Sequence, residues 1–219
     1  TLNNCTLTGN STYYGGLYQY AYGGGAAFCT LNNCTLTGNS VIASRQAFGG
    51  GAYRCTLNNC TLTGNSADNH SPPSPSSEVY GGGAYSCTLN NCTLTGNSYS
   101  GAHSSTLNNC ALAGNGDGAI KCILNNCTLS SHFFGALRST LNNCTLSGNT
   151  IGAYSSTLNN CIVYFNSNTN YDSSTLNYSC TTPLPTDGVG NIANAPLFVD
   201  TNAWSNLRLQ SNSPCINAG

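Results

Sequence analysis

Apolar and polar residues alternate along this chain in short runs, the mark of strands with one buried face. Cys34 and Leu36 alternate with Thr35 and Thr37, a period of two. Cys29 and Leu31 keep the same parity on the preceding segment, and Asn32-Asn33 provides the bend between them. Gly38-Asn39 provides a second bend, since Gly and Asn tolerate positive φ best. The abundance of Gly and Asn in every segment disfavours helix interiors.

This pattern recurs. The string TLNNC stands unchanged at residues 1, 30, 56, 88, 106, 140 and 157, and as ILNNC at 123. A degenerate copy, Thr175-Leu-Asn-Tyr-Ser-Cys180, follows. Successive starts lie 29, 26, 32, 18, 17, 17 and 17 residues apart, so the minimal unit is 17 residues. Gly25, Gly51, Gly83, Gly101, Gly118, Gly135 and Gly152, each followed by Ala, open the units. All extra length enters between the Gly-Asn bend and the next Gly-Ala, which predicts corner loops at 11–24, 40–50 and 66–82. A repeat this short, with its length variation at one point, is a solenoid. Strands joined by bends and stacked about 4.8 Å apart make it an all-β, single-stranded parallel β-helix. The repeats predict about 9 coils over 1–180, followed by an irregular cap or connector over 181–219.

In such a stack each repeat position becomes a column. The two Leu of each unit are the expected core, each contributing roughly 1.5–3 kcal/mol. The Asn columns read as side-chain amide ladders that satisfy bend carbonyls. Of 14 Cys, one column holds Cys5, Cys34, Cys60, Cys92, Cys110, Cys127, Cys144 and Cys161, with Cys180 as a candidate ninth member. A second holds Cys29, Cys55, Cys87 and Cys122, with Ser105, Ser139 and Ser156 elsewhere. Small apolar filler, coil-to-coil disulfides and a metal held along the thiols are the alternatives. Ser in the second column shows that no bond is needed there. Cys180 and Cys215, flanking the irregular segment, are the candidate disulfide pair. Zinc-type Cys-x-x-Cys spacing is absent, and neither a metal site nor a cofactor is expected.

Composition narrows function. Only 11 side chains are charged, 5 Lys+Arg and 6 Asp+Glu, giving a net charge of −1; ordinary domains carry roughly a quarter. Five cations cannot supply a nucleic-acid footprint. There is no run of about 18 apolar residues for a membrane helix, and low net charge argues against disorder. The chain has no Met and no signal peptide, so the expectation is that both ends have been trimmed or left out.

The motifs GGGAA (23–27), GGGAY (49–53) and GGGAY (81–85), with LTGN at 7–10, 36–39, 62–65 and 94–97, resemble the paired GGA-I and F-x-x-N motifs of polymorphic outer membrane proteins, with Leu in place of Phe. The end, Ala195-Pro-Leu-Phe-Val-Asp200 to Ser213-Pro-Cys-Ile-Asn-Ala-Gly219, resembles that of secreted bacterial β-helix proteins of the choice-of-anchor group. The resemblance covers essentially the whole chain. It implies a right-handed helix and an extracellular or bacterial cell-surface location, which the repeat itself does not show, and it says little about activity.

Three functions compete. The first is a non-catalytic structural or adhesive solenoid, with Tyr13, Tyr14, Tyr18, Tyr20 and Tyr22 as its binding residues, since exposed Tyr suits sugar faces or protein partners. Packing of those rings against the solenoid is the alternative. The second is a polysaccharide lyase or hydrolase, which needs clustered carboxylates. Asp68, Glu78, Asp117, Asp172, Asp187 and Asp200 are scattered instead, and His70, His103 and His132 share no column with them. The third is ice binding through the rows Thr6/Thr8, Thr35/Thr37, Thr61/Thr63 and Thr93/Thr95, which decay to Ala111/Ala113; exposed β-branched residues on a strand explain the same rows. Expected partners are further copies stacked end to end or further repeats of one precursor, and a carbohydrate or cell-surface ligand.

Overall fold

The computed structural model describes residues 1–14, 20–69, 78–200 and 206–216, which are all-β and contain no helix able to cross a membrane. Three parallel sheets enclose the core. The T-L-N segments, from Leu2–Asn3 to Thr175–Asn177, form a nine-stranded sheet. The T-L-T segments, from Thr6–Thr8 to Cys180–Thr181, form another of nine. The Gly-Ala segments, from Ala26–Ala27 to Thr169–Asp172, form the third, of eight. Each residue pairs with its equivalent one coil on, as in Leu31↔Leu57↔Leu89. The chain is therefore a parallel β-solenoid.

Left-handed residues turn the chain at each corner. Asn33, Asn59 and Asn91 (φ 53 to 54) join the first two sheets, and Gly38 and Gly64 (φ 61 and 62) leave the second. The third corner is the residue before the Cys/Ser column, where Arg54, Lys121 and Arg138 adopt φ 49 to 52. The shared column of these three cations is thus a solvent-facing corner.

Leu from the first two sheets and Ala from the third fill the interior, with Leu31, Leu57, Leu62 and Leu89 fully buried. The Asn ladders are present, and there are two. The outer ladder donates toward the N-terminus, with Asn58 Nδ2 to Asn32 Oδ1 and Asn90 Nδ2 to Asn58 Oδ1 both at 2.8 Å. The inner ladder, at the Gly-Asn corner, is buried and runs the other way. Asn65 Oδ1 accepts from the backbone N–H (3.0 Å) and Nδ2 (2.9 Å) of Asn39, while Asn65 Nδ2 donates to Leu36 O at 2.9 Å. The glycine opening each unit makes room for it: a Cβ on Gly51 would lie 2.6 Å from Gly83 O and 3.1 Å from Asn65 Cγ. In the sixth coil His132 takes the Asn place. Burial lowers its pKa, and in the neutral ring Nε2–H donates to Leu112 O while Nδ1 accepts from Asn115 N–H, both at 3.1 Å.

The thiols perform the same service at the other two corners. Cys34 N–H donates to Cys60 Sγ at 3.4 Å, and Cys60 donates to Asn58 O at 3.3 Å. Ser105 replaces the thiol by accepting from Cys87 N–H at 3.0 Å. The column thiols are part of the buried apolar core and also hydrogen-bond the corner backbone, and all 14 Cys are free thiols. Cys180 leaves its expected column. Ser179 accepts from Cys161 N–H at 3.0 Å in its stead, and Cys180 pairs with Ile162 on the outward parity of the second sheet. The degenerate T-L-N-Y-S-C copy shifts the thiol one residue, and one residue reverses its face.

Two further features were not expected. The corner loops over 11–24, 40–50 and 66–82 are ordered strands where described, forming two three-stranded parallel sheets that project as a flange from the first coils. The segment after Thr181 begins as a partial further coil: Tyr178 N–H donates to Val189 O, Ile192 N–H to Ser179 O, and Asn191 Oδ1 accepts from Ser179 N–H. An antiparallel hairpin, Phe198–Asp200 with Asn206–Leu209, follows.

The columns can be tested in two ways. Each orphaned buried polar group costs about 1–3 kcal/mol, so Asn97→Ala should destabilise by about 2–5 kcal/mol and the part-exposed Asn58→Ala by much less, read by denaturant unfolding. Burial pushes the Cys122 thiol up to about 12, so alkylation of the native chain should reach part-exposed Cys5, Cys29 and Cys215. The eleven buried thiols should react only on unfolding, as mass spectrometry would show.

Candidate binding surface

The flange exists because each insertion leaves a Gly-Asn corner, runs out, and returns through Gly-Gly-Gly. The triplet is a steric requirement at that return. Gly49 has φ +67, a Cβ on Gly50 would lie 2.1 Å from Ser66 O, and Gly51 faces the inner ladder. Ser40–Ala43 and Gln46–Phe48 sit at the centres of the two flange sheets. Between the sheets lies a small second core of Ala21, Val41, Ala43, Ala47 and Ala67, with Val79 against it.

An aromatic residue precedes each Gly triplet, and in two of the three units another follows the next Ala. Stacking turns these into two ring columns. Tyr22, Phe48 and Tyr80 stack at 5.3 Å centroid separations, 13° from parallel. Tyr53, Tyr85 and His103 stack on the Gly-Ala sheet at 5.8 and 5.3 Å. The columns interlock, with Tyr22–Tyr53 at 4.6 Å, Phe48–Tyr85 at 4.8 Å and Tyr80–His103 at 4.7 Å. Such pairs contribute roughly 0.5–1.5 kcal/mol each beyond their buried area. They fasten the flange to the solenoid.

Ring surface is left to solvent on the first coils, and singly further along at Tyr99, Phe133, Phe165 and Tyr178. Tyr13 is 61% exposed, Tyr14 50%, Tyr20 and Tyr22 40% each, and Phe28 68%. Tyr18 and His70 lie outside the described residues. Of the predicted tyrosines, Tyr20 and Tyr22 belong to the ring assembly, while Tyr13 and Tyr14 lie on the other flange sheet, opposite Ile42 and Ala43. Cations frame the patch. The Arg45 guanidinium lies 5.7 Å from the Tyr20 ring centroid, and that of Arg54 lies 5.4 Å from Tyr53 and 6.0 Å from Phe28. Phe28, Phe48, Tyr53, Tyr80, Tyr85 and Arg54 escaped sequence reasoning as members of this ring assembly, within which Phe48 and Tyr53 are buried. The signal was present, in the aromatic residues flanking Gly-Gly-Gly-Ala.

The threonine rows are in register and outward-facing: Thr6, Thr35, Thr61 and Thr93 form one, and Thr8, Thr37, Thr63 and Thr95 the other. Carboxylates are dispersed. Asp68 is exposed on a flange strand, Asp172 sits at the third corner bonded to Ser173 Oγ at 3.0 Å, and Asp187 and Asp200 lie in the C-terminal segment. Asp117 accepts from Phe134 N–H at 3.1 Å, with its pKa raised by burial. Among the described residues no group of three or more His, Cys, Asp or Glu is arranged to hold a metal. A cavity of about 190 Å³ beneath the C-terminal segment, between Asn143, Ile162, Tyr178 and Cys215, has no acid or base in its lining. Cys180 and Cys215 both line it.

Strand pairing and ring geometry define the class: a parallel β-solenoid carrying an aromatic flange. No family model matches the chain, and no curated protein does. Among solved structures it is similar to a trypsin-treated form of QnrB1, a plasmid-mediated fluoroquinolone resistance protein, at 14% identity and a TM-score of 0.32 over 82% of this chain and 81% of that one. It is also similar to HetL, a pentapeptide repeat protein involved in heterocyst differentiation regulation from the cyanobacterium Nostoc, at 15% identity and a TM-score of 0.27 over 87% and 84%.

The ring column carries a pH dependence. Burial, helped by the nearby Lys121 charge, lowers the pKa of His103 to about 4 from 6.5. Between those values the unfolded chain binds the extra proton, so stability should fall as pH drops from about 6.5 to about 4 and lose nothing further from this group below that. Denaturant midpoints across pH would show it, and His103→Phe should remove its share of the slope.

Proposed function

We propose that this chain is a non-catalytic, extracellular β-solenoid whose flange adheres to a neutral glycan on a cell or matrix surface. The observation that carries the reading is exposed ring surface on both sheets of an ordered flange, Tyr20 and Tyr22 with Phe28 beside them on one side and Tyr13 and Tyr14 on the other sheet. Tyr rings offer rigid area for the C–H faces of sugars and a hydroxyl for their polar edges. The kinship to polymorphic outer membrane and choice-of-anchor proteins suggested by the Gly-Gly-Ala and C-terminal motifs supports the surface location. The scattered carboxylates favour adhesion over polysaccharide cleavage.

The reading includes association along the axis. Leu2, Cys5, Leu7 and Cys29 are only partly buried, where their column mates are closed over. The first coil carries the same repeat and the same pairing register as those after it, so it suits stacking against another coil, whether a further repeat of one precursor or part of a second copy. The in-register threonine rows support a second reading, ice binding. Thermal hysteresis that disappears with Thr37→Leu and Thr63→Leu would decide for it.

On a glycan array the chain should bind neutral polysaccharides, and the double variant Tyr14→Ala/Tyr20→Ala should bind about tenfold more weakly or worse while still unfolding cooperatively, with only the small loss of stability expected from the Tyr20 ring contacts to Tyr22 and Phe48. Incubation with neutral and acidic polysaccharides should release no reducing ends or unsaturated products. Turnover abolished by a single Asp substitution would overturn the proposal. Light scattering should show association that grows with concentration, and a monomer at high concentration would exclude stacking.

A further inference from the structure

Twelve of the fourteen thiols lie in the two inward columns, and Cys180 and Cys215 belong to neither. Column thiols are held by the strands on both sides and donate to carbonyls two residues back, as Cys60 does to Asn58 O at 3.3 Å and Cys122 to Ile120 O at 3.2 Å. Cys180 instead faces outward from the last coil, where the C-terminal segment covers it and Asn194 O accepts from its thiol at 3.1 Å. The tail doubles back to bring Cys215 there. Gln210 N–H donates to Leu197 O at 2.9 Å, Ser213 Oγ–H donates to Pro196 O, and Cys215 N–H donates to Ser213 Oγ at 3.2 Å. Both cysteines then line the same 190 Å³ cavity.

The geometry points to a redox clasp: Cys180 and Cys215 form a disulfide that pins the C-terminal segment to the last coil and closes one side of the cavity. Cys215 is the entry point, because it is part-exposed and sits on an irregular turn that can adjust to disulfide geometry. With a small disulfide such as oxidised glutathione as oxidant, the Cys215 thiolate attacks one sulfur, forming a mixed disulfide and releasing one glutathione thiolate. The Cys180 thiolate then attacks the Cys215 sulfur and releases the second. Two protein thiols become one disulfide, and one oxidised glutathione becomes two reduced molecules. Burial and the neighbouring Cys215 thiol hold Cys180 well above the ordinary thiol range. It therefore acts as the resolving thiol and not as the first nucleophile. Cys29 and Cys55, with sulfurs 3.7 Å apart, are the competing pair, but both lie in the repeat, where strand pairing on either side resists the adjustment.

The test uses the reduced full chain treated with oxidised glutathione, then alkylated in denaturant and digested with trypsin. Cleavage after Arg138 and Arg208 places Cys180 on fragment 139–208 and Cys215 on fragment 209–219. The expected result is a covalent link between these two fragments, reversed by dithiothreitol. In Cys180→Ser the link should vanish and Cys215 should retain one glutathione. Slower proteolysis of the segment between Thr182 and Pro214 after oxidation should accompany the link. The proposal is overturned if fragment 209–219 stays unlinked in the unaltered chain. It is equally overturned if the link survives in Cys180→Ser, which would assign it to Cys144 or Cys161, or if the only link joins 1–45 to 55–121.

Discussion

The buried amide ladder at the Gly-Asn corner is the interaction on which this molecule depends. A solenoid corner exposes backbone groups to the interior, and a buried unpaired group costs more than a hydrogen bond returns. One Asn per coil removes that cost by serving three groups at once, as Asn65 does for the Asn39 backbone N–H, the Asn39 amide and Leu36 O. The Leu core supplies the bulk of the burial. The ladder, together with strand pairing, the outer amide column and the thiol columns, fixes which residue of one coil sits above which of the next.

Other choices follow from it. Gly51 has no side chain because a Cβ would meet the next coil's Gly83 O at 2.6 Å and crowd the Asn65 amide at 3.1 Å, and its equivalents are crowded in the same way. His132 is accepted in the ladder because one neutral tautomer presents an acceptor and a donor in the places of an amide. The thiols at the remaining corners obey the same logic with a weaker acceptor, and Ser105 and Ser139 substitute at shorter distance, accepting at 3.0 Å. Cysteine abundance is therefore compatible with a chain in which no disulfide supports the repeat.

The same register builds the aromatic surface. Because insertions enter at one corner of successive coils, their strands can only stack on one another, and equivalent aromatics become columns. The interlocked rings stiffen the flange and leave Tyr20 and Phe28 projecting beside two guanidinium groups. What this surface presents is ring area and shape. It contrasts with the neutral cavity beneath the C-terminal segment, whose notable chemistry is a pair of thiols.

The period of two around Leu36, the bends at Asn33 and Gly38, and the identity of successive units gave the strands, the coil count and both Leu columns from sequence. They did so because each is a local property repeated nine times. The Asn ladders were legible for the same reason, and so was the tyrosine-rich region as surface. Long-range contacts were not. That Gly-Ala segments form a third sheet, that Phe48 and Tyr80 share a column, and that insertions pair with each other depend on atoms brought together from residues 26 to 32 positions apart. The outward turn of Cys180 depends on a single-residue slip in a degenerate repeat, and its meeting with Cys215 depends on a tail whose path no periodicity encodes. Sequence alone determined the repeating coil; tertiary structure decided what the irregular segments do, because only a closed register tells an insertion where its neighbours are.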